Sequence, residues 1–206
     1  MAKVLGIGNA LVDIMTKLET DNTLETFKLP KGSMQLVDHE LSELIHESTE
    51  NLDKQIASGG SAANTIHGLA KMGVETGFIG KVGDDLYGKF FSDDMHENNI
   101  SPQLLTTTTL TGKAMALISP DSERTFATFL GAAVELSPDD LKDENFDGYD
   151  YVHVEGYLVQ NHALIEEALK LAKKSGLKVS LDMASFNVVE ANLEFLKHIV
   201  GQYVDI

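Results

Sequence analysis

The chain has 206 residues with 16 Lys+Arg against 32 Asp+Glu, a formal net charge of −16, and no Cys. That composition excludes a disulfide scaffold, thiol catalysis and a cysteine zinc cage. It also speaks against nucleic-acid partners, because so acidic a surface repels phosphate backbones and the only arginine is Arg124. No run approaches the ~18 apolar residues of a membrane span, and MAKVLGIGNA reads as a strand rather than a secretory leader. No membrane partner is expected, and the cytoplasm is the expected location.

Val4 to Gly8 predicts a first strand entering a glycine turn, and Leu11 to Leu18 continues extended. Asp38 is a good N-cap for a helix carrying Leu41, Leu44 and Ile45. Gly59-Gly60 opens a small-residue helix from about Ser61 to Met72, ended by Gly73. Thr76 to Val82 is the next strand. Asp84 or Asp85 caps a helix whose buried stripe is Leu86, Phe90, Phe91 and Met95. From about Ser101 to Gly131 the Thr-rich pattern around Pro120-Asp121-Ser122 predicts two strands and a turn. Tyr151 to Val154 and Lys178 to Leu181 are strands. Asn161 to Lys174 and Val188 to Val200 are helices, and the last residues, YVDI, start another strand.

This alternation predicts an α/β fold, a three-layer arrangement of a mostly parallel central sheet flanked by helices. Two β-rich insertions, 14–37 and 105–131, are expected to pair as a small separate sheet. The remainder, 1–13, 38–104 and 132–206, is expected to form the core. Because the chain stops inside an apparent strand without a polar tail, it is expected to be the front part of a longer protein.

Three constellations carry chemistry. Gly6-Ile7-Gly8 suggests a dinucleotide turn, but Leu11 stands where the fingerprint needs a third glycine, and no helix follows at once. Asp13 is more informative. A carboxylate near the end of a first parallel strand lies where open sheets bind ligands, and it can accept hydrogen bonds from two adjacent hydroxyls. Gly59 and Gly60 allow close backbone approach or hinging, and Asn64 lies one turn into the helix whose N–H groups open there. Arg124, just past a hairpin turn, could recognise phosphate. No Walker A loop, G-x-S-x-G elbow or H-x-x-x-H pair is present. His153-Val154-Glu155 matches half of a zinc-deaminase motif whose other half needs Cys.

Together GIGNALVDI, SGGSAANTIHGLAKMG, FIGKVGDDLYGKFF, TGKAMALISPDSERTFATFLGAA and VHVEGYLV resemble, in this order, the ribokinase-like (pfkB) carbohydrate and nucleoside kinases. LDMASFNVVE…YVDI is nearer to their adenosine-kinase branch. The resemblance implies a ribokinase-like fold with a small β-sheet lid. It also implies transfer of the γ-phosphoryl of ATP to a hydroxymethyl group of a sugar or nucleoside, with Mg²⁺ and room for a monovalent cation. It implies that Asp13 holds ribose-type hydroxyls with Asn9 beside it, that Gly59, Gly60 and Asn64 contact the same sugar, and that the glycine pair is the lid hinge. Gln35 and Met34 are implied as substrate- or base-side contacts, Arg124 as a phosphate contact, and the lid as a homodimer interface. The family's Asn-x-x-Glu and Asp-Thr-x-Gly-Ala-Gly-Asp motifs do not occur in the 206 residues. The catalytic base and most of the ATP site are therefore expected beyond Ile206, and the chain alone is expected to be inactive. The alternative is a sugar- or nucleoside-binding protein without an ATP site.

Overall fold

The structure is a computed structural model and describes residues 2–206. In chain order the first half contains β1 (Lys3–Ile7), β2 (Leu11–Lys17), α1 (Asn22–Thr26), β3 (Met34–Leu36), α2 (His39–Ser48), β4 (Lys54–Gly59), α3 (Ser61–Lys71), β5 (Glu75–Gly83) and α4 (Leu86–Glu97). The second half contains β6 (Ile100–Thr107), β7 (Thr111–Ile118), β8 (Arg124–Gly131), β9 (Tyr151–Val154), α5 (His162–Lys174), β10 (Lys178–Leu181), α6 (Phe186–Ala191) and α7 (Leu193–Tyr203). No helix among the described residues is long and apolar enough to cross a membrane.

Five strands make an all-parallel sheet in the order β10-β9-β1-β5-β6. Alternate side chains enter opposite cores, as the pleat requires. Leu5, Ile7 and Ile79 join Val152, Val154, Ile165, Leu169 and Ile199 on one face, while Phe78 meets Ile66, Phe91 and Met95 on the other. The chain leaves β1 for β5 on one side and returns to β9 on the other, so the topological switch lies between β1 and β9. Ligand crevices in open α/β sheets form at that point, outside the carboxyl ends of the strands.

The second sheet has the order β3-β8-β7-β2-β4, mixed in direction. Its inner face, with Val12, Ile14, Met115, Leu117 and Ala127, closes the second core over Ile45 of α2 and Phe91 of α4. Its outer face carries Asp13, Met15, Ala57, Ala114, Ala116 and Thr128 at the alternate positions. β1 and β2 are separated only by Gly8-Asn9-Ala10, so the two sheets meet at the carboxyl end of β1.

Several local expectations are corrected. β4, at Lys54–Gly59, is a second-sheet strand inside the range expected to be core. As an edge strand it is half solvated and shows no clean apolar alternation: Ile56 is 48% exposed. The segment 14–37 holds the short helix α1 besides strand. β6 pairs with β5 in the parallel sheet, so only β7 and β8 form the hairpin. Leu86, expected in the buried stripe of α4, is 86% exposed, while Phe91 and Met95 are fully buried. Asp85, rather than Asp84, is the cap: its side chain accepts from the Gly88 N–H. The helix predicted over 188–200 is two helices, broken at Asn192. The terminal YVDI does not start a strand: Tyr203 ends α7 and 204–206 is irregular, although Asp205 N–H donates to the Val179 carbonyl of β10 (2.9 Å).

Candidate functional site

The site grows from the ends of β1, β9 and β10. Beyond β9 the chain places Glu155 at 2% exposure, directly across the switch point from Asn9, which follows β1. Asn9 Nδ2 donates to Glu155 Oε1 (2.5 Å), and the Ala62 N–H, in the first turn of α3, donates to Oε2 (3.2 Å). A carboxylate there answers both the orphan N–H groups and the positive end of the helix dipole. Burial nevertheless raises the Glu155 pKa, outweighing those two hydrogen bonds.

Asp182, after β10, ties the same corner from the other side. Its Oδ2 accepts from the Ser61 hydroxyl (2.7 Å), and its Oδ1 accepts from Ala184 N–H (2.7 Å) and Gly156 N–H (3.2 Å). Strand ends, the start of α3 and two carboxylates thus form one rigid frame.

Asp13 lies on β2, at the outer face, aligned with Ala57 of β4 and Ala114 of β7. Its carboxylate lies against Gly59, where any Cβ would overlap it. Next to it Gly60 has φ +101°, and a Cβ there would run into the Asn9 carbonyl. Both positions therefore need glycine, one for close approach and one for backbone conformation. Asp13 makes no hydrogen bond or ion pair among the described residues, and burial raises its pKa to about 6. A half-buried carboxylate with all its acceptor positions free can take two neighbouring hydroxyls.

Beside this frame a cleft of about 530 Å³ is lined by Asn9, Leu130, Ala133, Leu136, Tyr157 and Asn161, among others. Asn9 joins the cleft to the frame, since it lines the one and bonds the carboxylate of the other. The residues that follow β9 and β10, Glu155 and Asp182, are acidic. Lys81, on β5, is engaged by Asp140 (2.9 Å) and the Glu135 carbonyl (3.1 Å).

Of the residues singled out in the sequence, Asp13 and Gly59 touch, and Gly60 abuts Asn9. Asn64 sits one turn into α3, on the side of Ser61, with its side chain exposed. Gln35 is not brought to them. It aligns with Ala127, on the opposite face of the sheet from Asp13, and its amide bonds Ser33 Oγ (3.2 Å); Met34 and Leu36 occupy the Asp13 side instead. Arg124 is exposed and aligned through Ile118 with Lys17, about 13 Å along the strands from the Asp13 level.

Glu155, Asp182 and Ser61 were missed as site residues. The available signal was the one used for Asp13: Glu155 and Asp182 each follow a predicted parallel strand by one residue. Among the described residues no group of three or more His, Asp or Glu side chains could hold a metal ion.

A model of the pfkB family of carbohydrate kinases matches residues 34–204. Among solved structures the chain is similar to adenosine kinase from Sinorhizobium meliloti, at 32% identity and TM-score 0.86 over 99% of this chain and 63% of that one. It is likewise similar to a probable sugar kinase from Rhizobium etli CFN 42, at 30% identity and TM-score 0.88, again over 99% and 63%. A 5-dehydro-2-deoxygluconokinase of Bacillus anthracis is 32% identical over 130 residues, 62% of this chain and 36% of that protein. The chain thus spans about a third of the curated relative and under two thirds of the solved ones.

Proposed function

Because this chain belongs to the pfkB carbohydrate kinase family, we propose that it forms the acceptor side of an ATP-dependent kinase for the hydroxymethyl group of a sugar or nucleoside. The observation that carries the reading is Asp13, a desolvated carboxylate with no hydrogen-bond or ion-pair partner among the described residues, lying against Gly59. Adjacent hydroxyls of the acceptor donate to its two oxygens, and Asn9 and Asn64 are the further contacts the reading assigns to it. Glu155 and Asp182 hold Asn9 and the start of α3 in place and so position this surface.

The second sheet is the proposed lid. Gly60, with its glycine-only backbone, is the hinge at which β4 passes into α3. Closure would exclude water from the acceptor, which protects a transferring phosphoryl group from hydrolysis. Arg124 would meet phosphate only after such closure. ATP with a divalent metal supplies the phosphoryl group in reactions of this type, and the described residues contribute acceptor binding and orientation. The homodimer, if formed, uses the open face of the same sheet.

The acidic surroundings favour a neutral acceptor over a sugar acid. Asp13 lies against Gly59, Glu155 and Asp182 bond the start of α3 that follows it, and Lys81 is already paired with Asp140. Thermal shift of the 206-residue chain tests this. Adenosine, ribose or fructose should raise the melting temperature at saturation, since a ligand that binds only the native state stabilises it. Gluconate and ribose 5-phosphate should not. Equal stabilisation by the anions, or none by any neutral compound, would reject the reading. An assay of transfer from ATP on the full-length protein separates a kinase from a binding protein without transfer.

A further inference from the structure

Ser58 lies between the two β4 residues that face Asp13. Ala57 is the register partner of Asp13, and Gly59 abuts its carboxylate. Ser58 itself points the other way, to the inner face, where it is 5% exposed. There its Oγ lies 2.9 Å from His67 Nε2 on α3 and bonds Asp94 Oδ2 on α4. His67 Nε2 and Asp94 Oδ2 are 3.5 Å apart, and Asn98 Nδ2 steadies Asp94 through Oδ1 (3.1 Å) and the Asp94 carbonyl (2.8 Å). One hydroxyl therefore joins a strand to two helices.

β4 needs such a tie. It is an edge strand whose one neighbour is β2, so nothing in the ladder holds its far side. A hydroxyl has a single proton, and the arrangement that uses every group runs from the His67 N–H to Ser58 Oγ and from the Ser58 O–H to the Asp94 carboxylate. It needs a proton on His67 Nε2, which the neutral Nε2–H tautomer supplies. Burial, with Lys71 adding to it, lowers the His67 pKa against the opposing pull of Asp94. The cluster lies outside the acceptor surface, so its members touch no substrate.

We propose that Ser58, His67 and Asp94 form a latch that clamps β4 to α3 and α4 and thereby keeps Ala57 and Gly59 over the Asp13 carboxylate. They are positioning residues. With the latch closed, the wall beside Asp13 stays dry and in register. With it open, β4 moves outward and water reaches the carboxylate. The proposal rests on Asp13 being the acceptor anchor only for its consequence in binding; the coupling itself is independent of any ligand.

The test is a carbon-13 NMR titration of the Asp13 carboxyl, assigned by the signal lost in Asp13→Asn. The wild-type midpoint should lie near 6. In Ser58→Ala it should fall by at least one pH unit, toward that of a solvated carboxylate, and Asp94→Asn should move it in the same direction. Ser58→Thr, which keeps the hydroxyl, should hold the wild-type value. A general loss of stability does not produce this pattern, because the titration is read on folded protein. A midpoint unchanged in folded Ser58→Ala and Asp94→Asn would overturn the latch, as would a wild-type midpoint near 4 or a Ser58→Thr midpoint as low as that of Ser58→Ala. A calorimetric titration of the wild type with ribose and adenosine is the second arm. If neither binds while the midpoint still falls in Ser58→Ala, the latch stands and the kinase reading fails.

Discussion

Asp13 ties ligand affinity, pH and stability together. Its pKa is about 6 in the fold against 3.8 for the free group, so between those values the folded state holds more protons than the unfolded one. Stability therefore falls as pH rises through that window and is flat above it. At pH 8 the buried charge costs up to about 3 kcal/mol. Asp13→Asn should raise the melting temperature at pH 8 and leave it nearly unchanged at pH 3.5. Acceptor affinity should run the other way in the wild type, rising as pH passes through 6, because only the ionised form accepts from two hydroxyls. Glu155→Ala should cost about 2 to 4 kcal/mol in denaturant unfolding, since it leaves the Ala62 N–H and the Asn9 amide without an acceptor and opens a cavity. That Asp13 and the twin glycines come together was legible in sequence because their position relative to a strand end and a helix start is a local property. Glu155 has the same local signal, one residue past a strand, but its partners Asn9 and Ala62 are 146 and 93 residues away and leave no mark in the local pattern. Gln35 was misplaced because the face of a three-residue strand is set by its pairing with β8, which the local pattern does not record.

Caps and turns decided which elements could be read. Asp38, Asp85 and Asn161 each accept a backbone N–H at the start of α2, α4 and α5, and the starts of all three helices are placed by the sequence within a residue or two. Asp85 does more than cap α4. It accepts from Gly88 N–H (2.8 Å), Thr111 N–H (2.8 Å) and Thr111 Oγ1 (2.7 Å), so it also fixes the start of β7. Burial pushes its pKa up, but these hydrogen bonds outweigh that and hold it below the ordinary value. Its contribution is present above the ordinary carboxylate pKa and is lost as pH falls through the lowered one. Asp85→Ala should destabilise by about 2 to 3 kcal/mol at pH 7, read as a lower denaturant midpoint. Gly60→Ala should cost a comparable ~1–3 kcal/mol, through its φ of +101° and the Asn9 carbonyl. The break at Asn192 escaped notice because it depends on long-range packing. Asn192 Oδ1 pairs with His162 Nε2 (3.0 Å), whose ring stacks on Phe195 at 3.8 Å. β4 escaped because an edge strand needs only one apolar side.

At the scale of the molecule, two cores lie on opposite faces of the parallel sheet, and the second continues under the mixed sheet. The pair Phe78–Phe91, at a centroid separation of 5.7 Å, joins β5 to α4 within it. This packing brings β1, β2, β4 and β9 to one corner, the corner we propose as the acceptor side. On that proposal, the charge of −16 would favour a neutral acceptor over an anionic one. The decisive comparison is isothermal titration calorimetry of the 206-residue chain, wild type against Asp13→Asn, with adenosine and ribose at pH 8. We expect saturable binding of at least one of the two by the wild type and at least a tenfold weaker affinity in a folded Asp13→Asn. Equal affinity in the two proteins would remove Asp13 as the acceptor anchor.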